Sequence, residues 1–208
     1  TWTGTITLNG TKYNFLEDFY TSFRSPVAFQ QDLGSLVFVG YGIADENYTD
    51  YTREDIDGKA VMYYMGEPVD EDGNYLLTGT QDLSKWSTDW TLKTDVARAN
   101  GATAIFIVDP KLEESVELAS QYFVGRMQLP REEKATPEGA GERVPIFYLS
   151  GEMAESLLSK KVQKKWADQG EKPVGPVDLK SGVSVNFWNE PVKVPTENVL
   201  GLLEGSDP

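Results

Sequence analysis

Oxygen donors and aromatic rings are the side chains in this sequence whose spacing could do chemistry. Asp70, Asp72 and Asn74 alternate as the oxygen ligands of calcium loops do. The helix-loop-helix calcium pattern needs Gly at its sixth position and Glu at its twelfth, and Tyr75 and Gln81 stand there instead. Calcium binding at this turn is thus one reading, and an exposed Asp72-Gly73 turn is the other. Paired carboxylates could act as acid and base on a glycoside, and Glu113-Glu114 and Glu132-Glu133 are the adjacent pairs. Both sit in charged segments that read equally as solvated faces. Gly40 and Gly42 share the G-x-G of a phosphate loop, but Asp45 stands where the third Gly belongs, and a carboxylate repels phosphate. Close backbone approach or a bulge is the other reason for such glycines. Trp86, Trp90, Trp166 and Trp188 could offer a stacking platform, although tryptophans at helix and strand spacing also serve core packing.

Composition removes other chemistries. The chain has no His and no Cys among its 208 residues. A triad with a His base, a thiol nucleophile and a disulfide are excluded, and a zinc site loses its usual ligands. No catalytic, cofactor-binding or metal-binding residue is assigned to any position. The formal charge of −14 opposes nucleic acid, whose phosphates need clustered Lys and Arg, and it opposes anionic membrane surfaces. No apolar run has transmembrane length, so no membrane insertion is expected. Hydrophobic residues make up 39% and aromatics 12%, enough for a sizeable core.

The elements that must hold these residues follow from period and punctuation. Residues 60–65 form an unbroken apolar run after the turn pair Asp57-Gly58, and Gly66 and Pro68 close it. That describes a strand covered on both faces. Residues 35–40 and 102–108 are candidates to lie beside it. Asn9-Gly10 between two alternating stretches predicts a hairpin. Phe15, Phe19 and Phe23 fall at helical spacing. Residues 45–57 are acidic and carry Tyr48 and Tyr51, and read as a surface loop. Residues 84–100 predict one helix with Leu92, Val96 and Ala99 on its buried face, capped by Ser84, Ser87 or Thr88 and stopped at Asn100-Gly101. Strand, helix, strand in that order implies a right-handed crossover and parallel pairing. A short helix over 111–120, a mobile loop over 126–143, a strand over 144–149, a helix opened by Ser150, a second helix or a continuation of it to Gly170 and a strand over 183–188 complete the series. Asn9-Gly10-Thr11 and Asn47-Tyr48-Thr49 match glycosylation acceptors, which carry no meaning in a bacterial protein.

Several of these runs together resemble the protease-associated (PA) domain. The resemblance rests on Asp57-Gly58-Lys59, Asn100-Gly101-Ala102, Val108-Asp109 and Val144-Pro145, in that order, over residues 35–160. It implies an α/β fold of the swivelling β/β/α type, a mixed sheet or open barrel flanked by helices. Pro195-Thr196-Glu197-Asn198-Val199-Leu200-Gly201 resembles the lead-in to the catalytic domain of M28-type zinc aminopeptidases, whose zinc ligands start downstream at a His-x-Asp motif. The implied layout is an N-terminal extension with a hairpin at 1–34, a PA-like domain at 35–194, and a linker with the first peptidase strand at 195–208. Thr1 in place of Met and the open end at Pro208 fit a trimmed fragment. The expected role is a non-catalytic module of a secreted, periplasmic or cell-surface metallopeptidase. It would gate substrate access or mediate protein contacts, with the adjacent peptidase domain and a peptide or protein substrate as partners. No cofactor is expected in this fragment, and zinc is expected in the missing peptidase domain. The alternative is an independent peptide- or carbohydrate-binding module.

Overall fold

The apolar runs at 36–38, 60–64 and 104–108 lie side by side as β5 (Leu36–Phe38), β6 (Ala60–Tyr64) and β7 (Ala104–Val108). In this computed structural model, which describes residues 1–22, 27–51, 56–123, 143–168, 172–179 and 182–190, both pairings are parallel. β8 (Ile146–Leu149) adds a fourth parallel strand. β3 (Phe19–Thr21) and β9 (Val177–Leu179) close the two edges antiparallel, giving the order β3-β8-β7-β6-β5-β9. Every residue of β7 is buried, as a strand covered on both faces must be.

A second, antiparallel sheet runs β2-β1-β10-β4, from β1 (Trp2–Leu8), β2 (Thr11–Asn14), β4 (Phe29–Leu33) and β10 (Val183–Asn189). The expected hairpin is there, with Asn9 and Gly10 both at positive φ, as a tight two-residue turn needs. β10 alternates buried and less buried residues from Val183 to Phe187, the mark of a sheet with one face inward. The strands of residues 1–34 thus divide between the sheets: β1, β2 and β4 in the smaller, β3 in the larger.

The two sheets meet through Phe147. Its ring stands 5.6 Å from Phe106 on its own sheet and 5.9 and 6.2 Å from Phe187 and Phe29 on the other. Met62, Phe106 and Phe147 share one core with Ile6, Val185 and helix α4 (Gly151–Leu157). Val61, Tyr63, Ile105 and Ile107 form a second core on the opposite face, with Ala97 of α2 (Leu92–Ala99). Each large apolar side chain taken fully out of water contributes about 1.5–3 kcal/mol. The molecule is a mixed α/β protein, with ten strands and five helices among the described residues.

Several expectations need correction. Phe15 and Phe19 do not lie on a helix. Asp18 accepts the Asn14 backbone N–H at 2.7 Å and closes a turn, Leu16 sits at φ 62°, and Phe19 opens β3. Both rings still serve the core, 5.6 Å apart; Phe23 lies outside the described residues. The helix expected over 84–100 is two. α1 (Lys85–Thr88) ends at Asp89, whose carboxylate accepts from the N–H and hydroxyl of Thr91 and competes with helix continuation. The buried face of α2 holds Lys93, Thr94 and Ala97, not Leu92, Val96 and Ala99. α3 (Leu112–Phe123), α4 and α5 (Lys160–Ala167) follow the sequence reading, with Ser150 and Ser159 capping the last two. β4 and β9 had no counterpart in that reading. The tail at 195–208 and the loop up to 142 lie outside the described residues.

Candidate functional site

The glycines after β5 and the end of β6 converge where the parallel strands finish at their C-terminal ends, the usual ligand-bearing edge of such sheets. Gly40 and Gly42 have positive φ, 56° and 70°. A side chain at Gly40 would strike the Asp50 carboxylate, and one at Gly42 would meet the Tyr63 ring at 2.9 Å. Close approach, not a phosphate, explains this G-x-G. The loop over 45–57 is correspondingly not a plain surface loop. Tyr48, Asp50 and Ile56 are buried, and Asp50 is 0% exposed.

Asp50 is held by three donors. The backbone N–H groups of Tyr41 and Ile43 each reach its Oδ2 at 3.1 Å, and the Tyr48 hydroxyl reaches Oδ1 at 3.1 Å. Burial pushes its pKa up to about 6, while these bonds and the charge of Lys93 pull the other way. Lys93, 6% exposed, crosses over from α2 and donates to the Gly66 carbonyl. Its ammonium lies 5.8 and 5.9 Å from the ring centres of Tyr41 and Tyr63. Burial pulls its pKa down to about 8, and the charges of Asp50 and Glu67 partly restore it. Glu67 is also buried. Its Oε1 accepts the Ser84 N–H at 2.9 Å, and its Oε2 has no hydrogen-bond partner among the described residues.

A carboxylate near 6 and an amine near 8 could in principle exchange a proton with a substrate. Asp50 has no exposed surface through which a substrate could reach it. The arrangement therefore works as a buried polar clamp, fixing the 39–51 loop and α2 to the strand ends. The sequence held one signal for it: Lys93 lies four residues before the small Ala97 on a helix that must cover a sheet.

The other sequence candidates are dispersed. Asp70 accepts the backbone N–H groups of Asp72 and Asn74 and the Asn74 side-chain amide, so its oxygens close the Asp72-Gly73 turn. Among the described residues no cluster of three or more His, Cys, Asp or Glu groups is placed to hold a metal ion. Glu113 and Glu114 lie exposed in the first turn of α3, and Glu132-Glu133 falls outside the described residues. Trp86 is buried, its Nε1–H donating to Asp45 at 3.0 Å, and Trp90 is 65% exposed. Trp188 is half-buried on β10. Trp166, on α5, stacks on Tyr64 at 4.8 Å and packs on Phe38 and Tyr41. The four tryptophans thus occupy four different settings.

Two of the motifs that carry the resemblance touch each other. Gly58 of the Asp57-Gly58-Lys59 turn donates its N–H to the Gly101 carbonyl at 3.0 Å, and Thr103 donates to the Lys59 carbonyl at 2.9 Å. A side chain at Gly101 would run into Asp57. Val108 leads into Asp109, which accepts from the Tyr20 hydroxyl at 2.9 Å and the Lys111 N–H at 2.8 Å. No family model matches the chain, and no curated protein matches it in sequence. No helix among the described residues is long and apolar enough to cross a membrane.

Proposed function

We propose that this chain is a non-catalytic accessory domain of the protease-associated type, standing beside the peptidase domain of a secreted or envelope zinc aminopeptidase of the M28 kind. There it would gate access of peptide substrates or make protein contacts. The observation that carries the reading is the mutual docking of the Asp57-Gly58-Lys59 turn and the Asn100-Gly101-Ala102 helix stop across two parallel strands. It gives the ordered motifs of the resemblance a shared structural job. The inward placement of Asp50 and Lys93 also supports a scaffold role, because both spend their polarity on the fold. An independent peptide- or carbohydrate-binding module is the second reading, and the exposed ring of Trp90 favours it.

The test is direct. The coding sequence beyond Pro208 should specify a His-x-Asp motif within a few strand lengths, on the order of 20–30 residues at usual strand sizes. The isolated chain should leave aminoacyl nitroanilides uncleaved with zinc present. Clear turnover by the isolated chain, or a downstream sequence without zinc ligands, overturns the proposal.

A further inference from the structure

Helix α5 has two faces of opposite character. Val162 and Trp166 pack against the core. Lys160, Lys161, Lys164 and Lys165 stand exposed on the other side, and exposed Lys172 follows the helix. Residues 160–172 hold five lysines against two acidic residues, in a chain whose formal charge is −14. Lys165 donates to the Val174 carbonyl at 2.6 Å and ties the helix to the segment behind it. Between them lies a groove of about 380 Å³, lined by lysines of α5 and by Asp168, Lys172, Pro173 and Val174.

These lysines lack the carboxylate partners that four other surface cations have. Lys59, Lys85, Arg98 and Lys111 each lie within 4.0 Å of a carboxylate. Among the described residues no carboxylate comes that close to any of the five lysines of 160–172. Lys160 with Lys164, and Lys161 with Lys164 and Lys165, stand at i,i+3 and i,i+4, where like charges repel. An anionic partner would relieve that repulsion.

We propose that this groove docks a short acidic peptide segment, its carboxylates meeting Lys161, Lys164 and Lys172 and its apolar side chains lying on Pro173 and Val174. The size of the patch selects a short partner. Eight helical residues span about 12 Å, close to the Debye length of about 10 Å at 0.1 M salt. A long polyanion or an anionic membrane would extend beyond the patch and meet the acidic remainder of the surface. In an extended peptide, carboxylates two residues apart project from one side about 6.6 Å apart. Lysines three or four apart on a helix have a similar spacing of about 5–6 Å between Cβ atoms. The methylene stems of the lysines add apolar surface for the residues between.

The experiment is fluorescence anisotropy with a dansyl-labelled hexapeptide alternating Glu and Val, and a Gln–Val counterpart. The acidic peptide should bind saturably at low salt (~20 mM) and weaken on raising salt to about 0.2 M. The double variant Lys161→Glu/Lys164→Glu should weaken it at least about tenfold with an unchanged circular dichroism spectrum, and Lys164→Gln alone about threefold. Lys12→Glu, at an exposed site on β2, should leave affinity unchanged. Equal binding of the neutral peptide, equal binding by the double variant, or no saturable binding overturns the proposal. So does binding of duplex DNA or phosphatidylserine vesicles as tight as that of the acidic peptide.

Discussion

Lys93 and the lysines of α5 put the same side chain to opposite use. Lys93 is 6% exposed, and its ammonium is spent on the Gly66 carbonyl and the faces of Tyr41 and Tyr63. Lys161 and Lys164 stand in water on a helix held down by Trp166. The first lysine costs desolvation and returns order: it links α2 to the end of β6, next to the Asp50 carboxylate that fixes the 39–51 loop. The others cost little and leave their charge available outside. A cation's contribution here depends on where the fold puts it: burial, only partly offset by the Asp50 and Glu67 charges, leaves Lys93 at about 8.

The largest expected effect tests the buried side. Asp50→Ala would leave the buried Ile43 N–H, the part-buried Tyr41 N–H and the Tyr48 hydroxyl without their acceptor. At about 1–3 kcal/mol for each stranded group, the loss should reach at least about 3 kcal/mol. Urea unfolding would register it as a lower midpoint at unchanged slope. A loss under about 1 kcal/mol would mean that the clamp is dispensable.

A smaller effect follows from pH. Asp50, raised from 3.8 to about 6, contributes stability that is full below its unfolded value and lost as pH rises through 6. Lys93, lowered from 10.5 to about 8, contributes stability that is full above its unfolded value and lost as pH falls through 8. The pair should therefore place a stability minimum near pH 7, with a gain of about 1 kcal/mol on moving to pH 5 or to pH 9. Lys93→Met should remove the alkaline rise. Chemical denaturation across that window checks both halves, and a Lys93→Met curve parallel to wild type on the alkaline side would break the assignment.

The smallest effect belongs to the exposed helix. Lys161→Glu/Lys164→Glu should change unfolding stability by no more than about 0.5 kcal/mol, as solvated surface substitutions do. A loss comparable to that of Asp50→Ala would show that α5 lysines also hold the fold, and would erase the contrast.

The larger sheet was far more legible than the smaller. Its β6 and β7 are apolar on both faces, so unbroken runs bounded by Gly, Pro and Asp marked them, and the intervening helix implied their parallel pairing. β4, by contrast, reads Phe-Gln-Gln-Asp-Leu, with three exposed polar residues at its centre. It is a strand because its backbone pairs with β10, a tertiary reason that local pattern does not contain. The face of α2 was misjudged for a related reason. Leu92 and Val96 pack sideways with Ile43, Tyr48 and Trp86, and the inward face is completed by a lysine that pattern reading assigns to solvent. The 45–57 stretch reads as acidic surface because its composition cannot reveal that Asp50 finds three donors.

By itself the sequence determined the α/β character, the neighbours β5, β6 and β7 with β6 and β7 parallel, the helix α4 capped by Ser150, and the absence of any His or Cys chemistry. Those features follow from side-chain period, turn chemistry and composition, which act within a few residues. Only the tertiary structure decided that Asp50 and Lys93 lie inside, that Gly40 and Gly42 make room for a carboxylate and a ring, and that among the described residues no carboxylate comes within 4.0 Å of the α5 lysines. Burial and pairing depend on segments far apart in the chain, and whether a charge is desolvated or free is set by what those segments bring beside it.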